Sequence, residues 1–75
     1  MNQQQVDHQT AVNWINSELN LLRRTIGEQN ASAAVRSVIV MAMLLQVISI
    51  EEKQAFEAQV DAMYADYSAK LKEAA

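Results

Sequence analysis

The chain has no cysteine and no proline, and in 75 residues it has only one glycine, one histidine and four aromatic side chains. Each scarcity removes a class of explanation. Without cysteine there is no disulfide to staple so short a chain, no thiolate nucleophile, and no Cys/His cluster for a structural metal. The lone histidine, His8, has only Asp7 beside it in sequence, whereas a metal site or a general base needs converging partners. No glycine-rich loop is present to cradle a phosphate, and Ser17, Ser32, Ser37, Ser49 and Ser68 read as helix-surface or capping residues. The expectation is a non-enzymatic protein with no catalytic residue, no cofactor and no metal.

Positive charge is scarce as well. Six Lys and Arg stand against nine Asp and Glu, giving a net charge of −3. A surface that binds the nucleic-acid backbone normally carries a basic surplus, so a nucleic-acid partner is not expected. A long hydrophobic run is also missing. The apolar stretch over residues 38–50 is broken by Gln46, and it falls short of the ~20 residues that span hydrocarbon, so no membrane segment is expected. The start, Met1-Asn2-Gln3-Gln4-Gln5, lacks the basic and apolar regions of a signal peptide. A cytoplasmic location is the resulting expectation.

What the chain does have is helical periodicity. Val12, Ile15, Leu19, Leu22 and Ile26 follow one another at intervals of three and four, one stripe along a helix over residues 7–26. Trp14 and Leu21 widen that stripe on one side. Residues 1–6 are polar and read as frayed, and Gly27 is placed to close the helix in the left-handed conformation. A second helix, 32–48, follows a short turn, with Asn30 or Ser32 available as its cap. Ser49 followed three residues later by Glu52 is a capping box, which starts a third helix over 50–73. Its stripe is Phe56, Val60, Met63, Tyr67 and Leu71, with Tyr64 beside it.

The middle helix dominates the reading. From Val38 to Ile48 every side of the helix is apolar except at Gln46, and a helix that is apolar all round must be surrounded. Its two neighbours cover about two thirds of it. The fold expected is therefore all-α, a single domain over residues 1–75, built as a three-helix antiparallel bundle with a fully apolar middle helix and completed by homodimerisation. A chain this short needs such help, because conformational entropy of roughly 1.5 kcal/mol per ordered residue cancels most of what one small core contributes. The interface is placed on Val40, Met43, Leu44 and Val47.

Outside that face, three groups of residues are candidates for partner contact. Asn13, Asn16 and Asn20 share an uncharged polar face of the first helix, although asparagine is a poor helix former. Glu57 and Asp61 lie one turn apart on the third helix, which carries the whole net charge: residues 51–75 hold six acids and three lysines, while residues 1–50 hold three acids and three arginines. Arg23, Arg24 and Arg36 fall near the first turn, where guanidinium groups can hold an anion. The function expected is a small helical interaction module, phage-like or bacterial-accessory-like, that self-associates through its second helix and offers its outer helices to a protein partner. The alternative is an acidic inhibitor docking on a nucleic-acid-handling protein. A helix-turn-helix DNA binder is weaker still, because its reading helix would present Glu51, Glu52, Glu57 and Asp61 to phosphates.

Overall fold

The computed structural model describes residues 2–74, and these form three helices, α1 (Gln3–Thr25), α2 (Ala33–Leu44) and α3 (Ile50–Ala74), with no strand among the described residues. The chain is all-α, as the periodicity requires. Helix α1 starts four residues ahead of the expected position. Asn2 explains the early start: its Oδ1 accepts from the Gln5 amide at 2.9 Å while Gln5 Oε1 accepts from the Asn2 amide at 3.0 Å. That reciprocal box satisfies two backbone donors that an uncapped helix leaves open. Gln3 Nε2 then donates to Asp7 Oδ1 at 2.7 Å, one turn on. Residues 3–6 are thus helical rather than frayed, and Met1 lies outside the described residues.

Gly27 does not close α1 in the left-handed conformation, and that expectation is corrected. The helix ends at Ile26 with right-handed backbone, and the left-handed residue is Asn30, at φ 59°. Asparagine tolerates that region because its short polar side chain bonds locally. Backbone bonds from Glu28 to Thr25 (2.8 Å), Ala31 to Glu28 (3.3 Å) and Ala33 to Asn30 (3.1 Å) carry the reversal in short overlapping turns. The glycine instead leaves room for the Tyr67 side chain. A Cβ at position 27 would stand 2.6 Å from the Tyr67 hydroxyl.

Helix α2 is 12 residues long and stops at Leu44, short of the expected end at 48. Ser32 occupies its N-cap but makes no capping bond; its hydroxyl accepts from Arg36 Nε at 3.3 Å instead. At the other end the chain turns without glycine or proline. Gln46 adopts φ 62°, the Val47 amide reaches back to the Ala42 carbonyl at 3.0 Å, and the Gln46 amide to Met43 at 3.0 Å. This pair of bonds is a Schellman motif with glutamine in the place usually held by glycine. Val47 and Ile48 therefore belong to the connection. The Ser49 box then opens α3 as expected, with the Glu52 amide donating to Ser49 Oγ at 3.1 Å and the Ser49 amide to Glu52 Oε1 at 2.9 Å.

The core is one cluster: Ile15, Leu19 and Leu22 from α1, Val35, Ile39 and Ala42 from α2, Ile48 from the connection, and Val60 from α3. Ala11, Val12, Ile26, Phe56, Met63 and Tyr64 close its edges. Helix α2 packs against both neighbours. His8 meets Glu52 near the starts of α1 and α3, and Gly27 meets Tyr67 toward their ends, so these two helices run parallel and α2 runs against both. With Tyr67 level with the first turn, residues 68–74 extend beyond α1 and are all exposed. Leu71, expected in the α3 stripe, is among them, at 53%.

Candidate functional site

Beyond the exposed Ser37, the side of α2 turned away from the core is apolar and open. Val35, Ile39 and Ala42 point inward, which leaves Val40, Met41, Leu44 and Leu45 outward over two turns. Leu44 is 68% exposed, Leu45 71% and Met41 58%. Trp14 of α1 joins them at 57%, so it is not the core-edge residue that its place beside the α1 stripe implied. It falls off the Ile15–Leu19–Leu22 line and, with Leu21 seven residues on, forms a second apolar line facing the same way. That spacing is present in the sequence, beside the stronger apolar run that begins at Val38.

Ala11 and Trp14 of α1 stand across a groove of about 510 Å³ from Val38, Met41, Leu45 and Val47, and Leu21, Val40 and Leu44 lie outside it. Asp7 and Thr10 supply its polar groups, and no basic residue lines it. Of the residues expected at the interface, Val40 and Leu44 are on the open side. Met43 is half-buried and packs against the core, whereas the half-buried Val47 both packs against the core and lines the groove. The difference arises because α1 and α3 approach α2 from directions that the helical wheel alone does not fix.

The remaining candidates fall elsewhere. Asn13, Asn16 and Asn20 are exposed along α1; Asn13 accepts from Gln9 Nε2 at 2.9 Å, and Asn20 accepts from Arg23. Glu57 is held by Lys53 at 2.8 Å and Asp61 by Arg36 at 3.2 Å, and Asp66 pairs with Lys70 at 3.1 Å. Three acids of α3 are thereby matched by cations of the chain itself. The arginines are used separately: Arg36 on Asp61 and Ser32, Arg23 on Asn20, with Arg24 exposed and without an ion pair among the described residues.

One contact was not legible in the sequence at all. His8 Nε2 lies 2.7 Å from Glu52 Oε2, joining residues 44 positions apart. Glu52 thus uses one oxygen to cap α3 and the other to hold α1. Its carboxyl is lowered from the usual glutamate range, first by the Ser49 backbone bond and then by the His8 bond. Among the described residues no three His, Cys, Asp or Glu side chains gather in a way that could hold a metal ion, and no helix is long and apolar enough to cross a membrane. No protein family model matches the chain, and no curated protein or solved structure matches it.

Proposed function

We propose that this protein is a non-enzymatic interaction module that self-associates through the face formed by Trp14, Val40, Met41, Leu44 and Leu45. The observation that supports it is the extent of that face. Its five side chains leave on the order of 500 Å² of apolar surface open, the upper range for a soluble monomer. A two-fold pairing covers the same patch on both subunits, removing about 1,000 Å² from water, the size at which specific interfaces begin. Charge does not oppose the pairing: residues 1–50 carry three acids and three arginines, and the surplus acids all lie from Glu51 onward. A second copy can therefore approach the α1–α2 face while the acidic helices stay outside. In this reading Asn13, Asn16 and Asn20 and the α3 surface remain free for a protein partner.

The acidic-inhibitor reading is weaker, because a phosphate mimic needs unpaired carboxylates and those of Glu57, Asp61 and Asp66 are matched internally. Molar mass by light scattering across a hundredfold range of concentration tests the proposal. A dimer or higher oligomer that Leu44→Glu converts to monomer is expected, since the change would bury an unpaired charge. A monomer throughout the range would sink it.

A further inference from the structure

The groove has a specific chemistry. Its walls are apolar, from Ala11, Trp14, Val38, Met41, Leu45 and Val47, and its polar residues, Asp7 and Thr10, both carry oxygens able to accept a hydrogen bond. An occupant suited to it is flat, large and apolar, with one N–H donor and no strong charge. An indole ring fits that description. The chain has a single tryptophan, and its side chain lines the α1 wall of this groove while staying more than half exposed, free to reach outward to a partner as well.

We infer that the groove between α1 and α2 is completed by Trp14 of a second copy of this chain, each subunit lending its indole to the other. The inference rests on the self-association proposed above and gives that association its anchor. A two-fold axis makes the exchange reciprocal, since a patch that receives on one subunit also donates from it. Exposed aromatic side chains that enter a desolvated pocket on a partner commonly dominate such interfaces. Lipid is the less suitable occupant: interfacial helices rim their apolar face with Lys and Arg, and no basic residue lines this groove.

Because the chain has one tryptophan, its fluorescence reports on that residue alone. Emission and acrylamide quenching are followed while the wild-type chain is diluted through the range used for light scattering. As the dimer forms, emission shifts to the blue and quenching falls. Trp14→Ala, with its helicity checked by circular dichroism, raises the dissociation constant at least about tenfold. A dimer by mass whose tryptophan stays fully quenchable overturns the inference and leaves self-association standing. A chain that is monomeric at every concentration overturns both. A dimer that shields the indole but is unaffected by Trp14→Ala also rejects Trp14 as the anchor.

Discussion

Glu52 holds His8 at 2.7 Å with one carboxylate oxygen while its other oxygen accepts from the Ser49 amide at 2.9 Å, so a single side chain both starts α3 and ties it to α1. Helix α3 contributes only Val60 to the fully buried core. The contacts at its ends therefore matter more than their partial exposure implies.

The charge on Glu52 makes this tie sensitive to acid. Its folded-state carboxyl is depressed below the ordinary value of 4.5 by the Ser49 and His8 bonds, so its contribution to stability is present above that value and is lost as pH falls through the lower, folded one. Glu52→Gln keeps the capping geometry and removes the charge. The melting temperature of the variant is expected below that of the wild type at neutral pH, with the gap closing below pH 4.5. A gap unchanged at low pH would show that the charge adds nothing.

Gln46 holds a left-handed conformation at φ 62° that glycine adopts freely. Gln46→Gly is expected to stabilise the fold by about 1 kcal/mol, a rise of roughly 4–8 °C in melting temperature for a domain of this size. A lower melting temperature would mean that the exposed glutamine side chain holds the turn through contacts of its own.

Gly27 and Tyr67 are coupled through space. Gly27 has no left-handed backbone, so alanine there gains from reduced freedom of the unfolded chain, by about 0.5 kcal/mol. It also meets the Tyr67 hydroxyl at 2.6 Å. Gly27→Ala is expected to destabilise the wild type and to stabilise a Tyr67→Ala background, with a coupling of about 1 kcal/mol in a double-mutant cycle. Additive effects would show that the ring moves aside freely.

Ile39 and Leu44 sit on opposite sides of one short helix, buried and open respectively. Ile39→Ala is expected to cost about 2–5 kcal/mol at every protein concentration, because it leaves a cavity in the core. Leu44→Ala is expected to leave the fold intact and to reduce the concentration dependence of the melting temperature. Equal losses from both, independent of concentration, would place Leu44 in the fold rather than in association.

Local chemistry was legible in the sequence wherever neighbours in the chain decide the outcome. The three helical segments, the Ser49–Glu52 box and the inward stripe of Ile15, Leu19 and Leu22 all follow from spacing and capping within a few residues. The Asn2–Gln5 box was equally local, but it lies in a glutamine-rich start that composition marks as frayed. Turn conformation was less legible: glycine is the usual left-handed residue, yet Asn30 and Gln46 take that role, because the Schellman bonds at Ala42 and Met43 outweigh the strain at Gln46. Only the tertiary structure decided which side of α2 stays open, that Trp14, Leu45 and Val47 share a groove, that Met43 turns toward the core, and that Glu52 reaches His8. Periodicity assigns each residue a direction about its own helix axis. The angles at which α1 and α3 approach α2 belong to the packing of the whole chain.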